Sequence, residues 1–324
     1  MTDLRTSFAK TENVLIRAGD CAVTILPLYG GKIASIRIGE LELLQPPLAP
    51  IAPRTRTMPF DAADAGGWDE CLPSVAPCAV KTEAAVAEIP DHGDLWRVEW
   101  AARDESSETR DKVTLVGKCF SLPLELERRM ELLETGGHWH LNLQYKLINT
   151  SSKAVPWSWS AHPLFAVEKG DRVVLPESIH SLWLEGSGGG RLGTRGDSVA
   201  WPMARRADGA TVDLRVADGP RSGIGDKLFA GPLDGSANWC ALERPSAGVR
   251  LRVKFDAAAT PYLGLWICYG GWPERPGPKQ MCVAFEPATA PVDSLAETGP
   301  WSLVLEPRDC FKWTMEVEIE RIER

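Results

Sequence analysis

The chain alternates apolar and polar side chains with a period of two residues in several long segments. In the clearest segment, apolar residues at 139, 141, 143, 145 and 147 alternate with polar residues at 140, 142, 144 and 146. The same alternation recurs over 124–131, 249–256 and 313–320. Successive side chains of a strand point to opposite faces, so each segment is a predicted strand with one buried and one solvated face. Such strands are typical of antiparallel sheets.

Signals for helices are weak by comparison. The 29 glycines and 25 prolines separate the apolar runs, and no window shows a sustained stripe with a 3.6-residue period. The pattern therefore predicts an all-β protein, a large sandwich or barrel. We find no internal repeat and no linker, so we predict a single domain over 1–324. Segments 45–77 and 185–206 are predicted to be long ordered loops, which in compact β domains usually carry function.

Charge and cysteine usage exclude several classes of protein. The formal net charge is −8 and there is no basic run, which argues against nucleic acid or an anionic membrane as partner. The first ten residues lack the apolar stretch of a secretory signal, and no span of about 20 apolar residues occurs. We therefore expect a cytoplasmic protein that does not enter a membrane. The eight cysteines are scattered without a CxxC pair, so we expect reduced thiols and no metal site.

Three titratable residues directly precede a proline or a glycine. Glu286 follows a strand-forming run and directly precedes Pro287, which predicts that the strand ends there and holds the acid on a rigid rim. His162 precedes Pro163, and His92 precedes Gly93 and a predicted strand over residues 95–100. A fixed carboxylate with histidines can move protons on a neutral polar substrate near pH 7. The alternative for His92 is a structural turn, and for His162 a buried, hydrogen-bonded imidazole.

Aromatic and acidic residues offer possible contacts for a sugar. In segment 66–73, Trp68 could stack on a sugar ring while Asp69 or Glu70 accepts hydrogen bonds from hydroxyls. The alternative is a tight turn with solvated acids. Of the 13 tryptophans most must fill the core, but Trp266 and Trp272 could line a concave face.

Taken together, these segments resemble the aldose 1-epimerase (galactose mutarotase-like) superfamily. Five short motifs occur in the family's order over about 290 residues. They are Gly30-Gly31-Lys32-Ile33-Ala34-Ser35-Ile36, Gly66-Gly67-Trp68-Asp69-Glu70-Cys71-Leu72-Pro73, His92-Gly93 with Arg97 and Trp100 following, Ser160-Ala161-His162-Pro163-Leu164-Phe165, and Phe285-Glu286-Pro287.

The resemblance implies a large antiparallel β-sandwich, called a supersandwich, with a sugar bound in a cleft on a concave sheet face. It also implies the reaction: a glutamate takes the proton of the anomeric hydroxyl, a histidine protonates the ring oxygen, and the opened sugar recloses as the other anomer. By motif position Glu286 is the base, His162 the acid, and His92 helps to bind the sugar. No cofactor or metal is required. The base should have a raised pKa, which partial desolvation would provide.

The chain departs from the family at several positions. The family's early asparagine-arginine element has no Asn here, and Pro53-Arg54-Thr55-Arg56 is the nearest counterpart. Asp226 is a weak match for the aspartate that anchors sugar hydroxyls. Asp69 and Glu70 suggest a ligand other than galactose, and a sugar phosphate would need a cationic clamp such as Arg54, Arg56 and Arg97.

Three functions are compatible with these residues. The first is an isomerase of a free sugar or sugar derivative, as a monomer or homodimer. The second is a carbohydrate-binding or sensing protein that kept the fold without turnover. The third, a carbohydrate hydrolase or lyase, would need Asp69 or Glu70 opposite Glu286 across the cleft.

Overall fold

A computed structural model describes residues 12–83, 85–104 and 111–323. The first ten residues, on which the expectation of no secretory signal depends, lie outside this part. The strands are β1 (Val14–Ala18), β2 (Cys21–Leu26), β3 (Lys32–Ile38), β4 (Leu41–Glu42), β5 (Trp68–Cys71), β6 (Cys78–Lys81), β7 (Val86–Ile89), β8 (Ala101–Asp104), β9 (Lys112–Lys118), β10 (Leu124–Thr135), β11 (His138–Asn149), β12 (Val155–Trp157), β13 (Ser160–Ala166), β14 (Arg172–Val174), β15 (Ser181–Ser187), β16 (Ser198–Ala200), β17 (Met203–Arg205), β18 (Thr211–Asp213), β19 (Ile224–Ala230), β20 (Trp239–Arg244), β21 (Val249–Phe255), β22 (Tyr262–Tyr269), β23 (Met281–Ala288), β24 (Leu303–Leu305) and β25 (Cys310–Arg321).

Helical structure in the described residues is limited to single 3₁₀ turns. They span Pro27–Tyr29, Phe60–Ala62, Leu95–Arg97, Gly188–Gly190, Leu295–Glu297 and Gly299–Trp301. Within this part of the chain no helix has the length and apolar character needed to cross a membrane. The weak helical signals in the sequence are thus explained by turns that connect strands.

Two large antiparallel sheets form the sandwich. One has eleven strands in the order β1-β2-β3-β5-β13-β23-β22-β19-β15-β16, with β4 added on β3. The other has eight strands in the order β14-β20-β21-β25-β11-β10-β9-β8. The neighbouring strands pair antiparallel, as between β10 and β11 and between β22 and β23. The predicted all-β antiparallel sandwich is confirmed.

The core lies between the two sheets, and the period-two alternation determines which side chains enter it. In β11 the residues Trp139, Leu141 and Leu143 are buried while the intervening polar residues are only partly covered. β21 and β25 alternate in the same way. A fully buried aliphatic side chain contributes roughly 1.5–3 kcal/mol, so these strands hold their register by burying one face.

Four local predictions were wrong. Segment 45–77 includes β5, and segment 185–206 includes β16 and β17, so neither is a continuous loop. Residues 95–100, predicted as a strand, begin with the 3₁₀ turn Leu95–Arg97, because the Trp100 amide bonds back to the Pro27 carbonyl instead of to a sheet neighbour. β23 does not end before Pro287: it continues to Ala288, with Pro287 opposite Leu263 of β22.

Candidate active site

On the outer face of the eleven-stranded sheet, a histidine and a glutamate lie opposite each other on adjacent strands. β13 pairs with β23 through Ser160 with Ala288 and through Leu164 with Ala284. This register places His162 of β13 beside Glu286 of β23. Residues that are opposite in an antiparallel pair project from the same face, so the two side chains enter the same space.

The sheet has a local gap in its backbone pairing at this point. Between β13 and β23 the strands pair on both sides of His162 and Glu286 but not at these two residues, although His162 pairs with Asp69 of β5 and Glu286 with Gly264 of β22. Pro163 and Pro287 directly follow them, and proline has no amide hydrogen for the ladder. The two prolines therefore mark the position of the site within a continuous sheet.

Glycine on the next strand makes room for the glutamate. Gly264 of β22 lies opposite Glu286, and a Cβ atom at this position would stand 3.1 Å from Glu286 Cβ and 3.1 Å from the Phe229 ring. Any side chain at 264 would crowd the carboxylate. The sequence Tyr262–Tyr269 gave no hint of this, because a single glycine within an apolar strand has several structural explanations.

His92 reaches the same space from a tight turn. Its backbone has φ of +58° and is followed by Gly93 at +68°. A Cβ on Gly93 would stand 2.3 Å from the Leu72 carbonyl oxygen, so glycine is required there. The Gly93 amide closes the turn on the Pro90 carbonyl, and the His92 amide bonds to the Val75 carbonyl.

The two imidazoles and a phenyl ring form one aromatic cluster. The His92 and Phe60 rings are stacked with centroids 3.7 Å apart, and the His162 ring meets the edges of both at 5.1 Å from His92 and 5.6 Å from Phe60. Phe60 comes from the 3₁₀ turn Phe60–Ala62 in the first long segment. Packing against three different chain segments fixes the orientation of both imidazoles.

A cavity of about 210 Å³ opens above these residues. Ligand cavities for drug-sized molecules are roughly 300–1,000 Å³, so this cavity suits a smaller ligand. It combines aromatic surface with charged and amide groups. Its lining consists of Phe60, Val75, Ala76, Pro77, Asp91, His92, His162, Lys227, Trp266, Trp272, Gln280, Glu286 and Asp293.

Glu286 is fully buried and has one free oxygen. Its Oε2 atom accepts a hydrogen bond from the Lys227 ammonium and lies 3.5 Å from the Ser160 hydroxyl. Its Oε1 atom has no hydrogen-bond partner among the described residues. Burial raises the pKa of Glu286, although the Lys227 charge acts in the opposite direction. A raised pKa makes the carboxylate a stronger base than a solvated glutamate.

His162 has the opposite shift. Burial, together with the charges of His92 and Lys227, lowers the pKa of His162 well below the usual value. Its Nδ1 atom has no hydrogen-bond partner among the described residues. In the free protein the imidazole is therefore mostly neutral at pH 7, and His162 and Glu286 each keep one buried polar atom that has no partner among the described residues.

Of the residues predicted from the sequence, Glu286, His162, His92 and Trp272 line the cavity, as does Trp266. The histidines outside the site include His138 and His140, which lie on β11 in the other sheet with their Nδ1 atoms 3.3 Å from Glu318 and 2.9 Å from Glu316. The predicted contacts of Trp68, Asp69, Glu70, Arg97 and Asp226 with a sugar do not agree with their positions, for the following reasons.

Trp68 and Glu70 project from β5 into the space between the sheets. Trp68 is fully buried in the main core. Glu70 accepts hydrogen bonds from Arg128 at 2.9 Å and Tyr145 at 3.0 Å, both on the opposite sheet, and from the Trp159 indole at 2.9 Å. Glu70 therefore joins the two sheets, and it cannot face Glu286 as a hydrolase or lyase would require.

Asp69 projects from the same sheet face as His162, its partner in register, but it is neutralised locally. The Lys32 ammonium lies 2.5 Å from the Asp69 carboxylate and 3.2 Å from the carboxylate of Asp64. All three side chains are almost completely buried. Asp69 thus belongs to an ion cluster beside the cavity and is absent from the cavity lining.

The arginines of the proposed phosphate clamp have structural partners. Arg97 donates to the carbonyls of Met58, Asp91 and Gly93, so it ties the His92 turn to the first long segment. Arg54 forms an ion pair with Asp64, and the Arg56 guanidinium lies 4.9 Å from the Phe120 ring centroid. None of the three lines the cavity.

Asp226 directly precedes the cavity residue Lys227 in β19, so the two side chains project from opposite faces of the strand. Its carboxylate accepts hydrogen bonds from Ser187 at 2.5 Å and from Arg191 at 3.1 Å, on the far side of the strand. Its neighbour Lys227 projects into the cavity. Sequence reasoning missed Lys227, Asp293, Gln280 and Phe60. The only available signal was Lys227 itself, which with Asp226 interrupts an otherwise apolar strand.

The residues that the structure describes contain no group of three or more His, Cys, Asp or Glu side chains that could hold a metal ion. In the cavity the Lys227 ammonium contacts the carboxylates of Glu286 and Asp293. The arrangement provides a carboxylate and an imidazole on one side of a small polar and aromatic cavity, which can exchange protons with a hydroxylated ligand.

Comparison with solved structures identifies the fold. The Slr1438 protein from Synechocystis sp. PCC 6803 matches with a TM-score of 0.69 and 14% identity, covering 99% of this chain and 100% of that one. A galactose mutarotase-like protein from Lactobacillus casei matches with a TM-score of 0.66 and 16% identity, covering 95% and 100%. The GalM/aldose epimerase homologue from C. elegans matches with a TM-score of 0.64 and 9% identity, covering 97% and 100%.

The chain therefore has the galactose mutarotase-like fold, as the sequence motifs predicted. No protein-family profile matches the chain. No curated protein matches it significantly either. At these identities the likeness concerns the fold, and the chemistry must be argued from the cavity.

Proposed function

We propose that this protein is an aldose 1-epimerase-like isomerase that interconverts the anomers of a free aldose. The observation that carries the proposal is the convergence of Glu286 and His162, level on adjacent strands, at a cavity where each has an unpaired polar atom. The solved structures with this fold that are called galactose mutarotase-like support the same class of reaction.

In the proposed reaction Glu286 takes the proton from the anomeric hydroxyl through its free Oε1. The bond between C1 and the ring oxygen breaks, and His162 gives a proton to that oxygen. The open-chain aldehyde rotates and the steps reverse, so both side chains recover their original protonation. In this proposal His92 binds a hydroxyl, and Trp266 and Trp272 cover the apolar face of the ring, because all three side chains line the cavity.

The pair of Glu286 and His162 must hold one proton between them for this reaction. In the active form the glutamate is ionised and the imidazole is protonated. An ordinary histidine is about one-quarter protonated at pH 7, and the lowered pKa of His162 makes this fraction smaller. The active form is consequently a minor one at neutral pH, and its population increases as the pH falls until Glu286 becomes protonated.

The test is the rate of anomer exchange for a panel of neutral aldoses, measured by polarimetry and by NMR exchange above the buffer rate. Glu286→Gln should lower kcat by about 10²–10⁴-fold, which corresponds to roughly 3–5 kcal/mol of barrier, with the fold retained. The control is Glu318→Gln, on the outer face of the eight-stranded sheet, which should leave the rate unchanged.

If the wild-type protein does not accelerate exchange of any sugar in the panel, the proposal fails. A melting temperature that rises with a sugar in the absence of turnover would instead support a carbohydrate-binding protein.

A further inference from the structure

A lysine occupies the cavity next to the proposed base. Lys227 of β19 donates a hydrogen bond to Glu286 Oε2, and its ammonium lies 3.3 Å from Asp293 Oδ1. The Phe229 ring centroid is 5.2 Å from the same nitrogen. Only 10% of the Lys227 side chain is exposed, so its position is set by these groups and not by solvent.

We propose that Lys227, anchored by Asp293, is the positioning residue for Glu286: it occupies Oε2, leaves Oε1 for the anomeric hydroxyl, and keeps the carboxylate ionised. The role of Oε1 rests on the proposed function. The effect of Lys227 on the charge of Glu286 does not depend on it. Lys227 does not contact the reacting bond in this assignment and acts only through Glu286.

The need for such a cation follows from burial. A carboxyl group without solvent prefers its neutral form, and a neutral Glu286 could not accept the sugar proton. An adjacent cation offsets this preference, because an opposite charge within about 4–6 Å favours the ionised form. Asp293 also contacts the ammonium and contributes a second negative charge.

Other roles for Lys227 do not fit its surroundings. Imine formation with the open-chain aldehyde needs a neutral amine, but the Asp293 and Glu286 carboxylates outweigh the effect of burial and raise the pKa of Lys227. An anion clamp needs an uncompensated cation, but two carboxylates already surround this one. The three groups together carry one net negative charge, which disfavours a phosphorylated or acidic sugar.

The test uses the titration of the Glu286 carboxyl group, followed by ¹³C NMR and assigned by its loss in Glu286→Gln. The titratable and charged groups near this carboxyl group are Lys227, Asp293, His92, His162 and the buried thiols of Cys71 and Cys282. Lys227→Met should move the Glu286 midpoint up by about one pH unit or more, and Lys227→Arg should restore it. The acid limb of kcat/KM should move by the same amount.

The matched control is Lys254→Met. Lys254 lies on the outer face of the eight-stranded sheet, with its ammonium 3.3 Å from Glu316 and 2.9 Å from Glu318. It therefore also neutralises two carboxylates but is remote from the cavity. This variant should leave both the Glu286 midpoint and the acid limb unchanged. A midpoint that moves equally in both variants would show a general charge effect and overturn the proposal.

Asp293→Asn provides an independent readout should Lys227→Met fail to fold. Removing this negative charge should lower the Glu286 midpoint, because Asp293 now acts to raise the pKa of Glu286. A Glu286 midpoint unchanged in either folded variant overturns the positioning role. A midpoint that moves as expected, in a protein that exchanges no anomers, leaves the electrostatic role standing and refutes only the proposed function.

Discussion

Removal of the Glu70 carboxylate should show that this acid stabilises the sandwich. Glu70 and Arg128 are both 0% exposed, and they lie on opposite sheets. In Glu70→Leu, Arg128 loses its only ion-pair partner among the described residues, and Tyr145 and Trp159 each lose an acceptor. Breaking a buried ion pair on one side costs about 3–5 kcal/mol, mostly because the remaining charge stays buried.

The measurement is urea unfolding of Glu70→Leu, Arg128→Met and the double variant. We expect each single variant to lose about 3–5 kcal/mol of unfolding free energy, a large part of the roughly 5–15 kcal/mol that holds a native protein together. The double variant should lose clearly less than the sum of the two, because it buries no unpaired charge.

A surface pair provides the control. Lys118 pairs with Glu125 at 2.9 Å, but the lysine side chain is 74% exposed, so Lys118→Met should cost no more than about 1 kcal/mol. The reasoning is refuted if Glu70→Leu costs as little as this control. It is also refuted if the double variant loses the full sum, since the two groups would then act independently.

Four further predictions concern the cavity. Because the pKa of His162 is lowered, the basic limb of kcat/KM should lie below pH 6.5, and kcat/KM should rise as the pH falls from 8 towards 6. A basic limb above pH 6.5 would contradict the role of His162 as the acid. His92→Gln removes one cause of that lowering, so the basic limb should move to higher pH, and an unchanged limb would show that the two imidazoles are not coupled. Gly264→Ala should reduce kcat by about tenfold with the protein still folded, because its Cβ crowds Glu286, and a full rate would show that the carboxylate tolerates displacement. Trp272→Ala should raise KM more than it lowers kcat, and an unchanged KM would place the sugar elsewhere.

Much of the fold could be predicted because local chemistry and tertiary packing agree. Strands such as β11 and β25 have one face in the core and one towards water, so the alternation of apolar and polar residues indicates which side chains are buried. Proline after Glu286 and His162 restricts the backbone, and glycine after His92 permits a left-handed turn, which is why these three could be singled out. The prediction that β23 ends before Pro287 was nevertheless wrong by two residues, because proline is tolerated where the ladder is already interrupted.

The sequence by itself determined the all-β architecture and the most distinctive acid and imidazoles of the cavity. Only the tertiary structure decided which of the adjacent polar residues face the cavity. Lys227 lines it and Asp226 does not, and neither Asp69 nor Glu70 lines it. β5 and the cavity half of β19 are covered on both faces, so alternation cannot distinguish the core side from the ligand side. That choice depends on which partners the other strands and loops bring, such as Arg128, Lys32 and Asp293, and these partners are remote in the sequence.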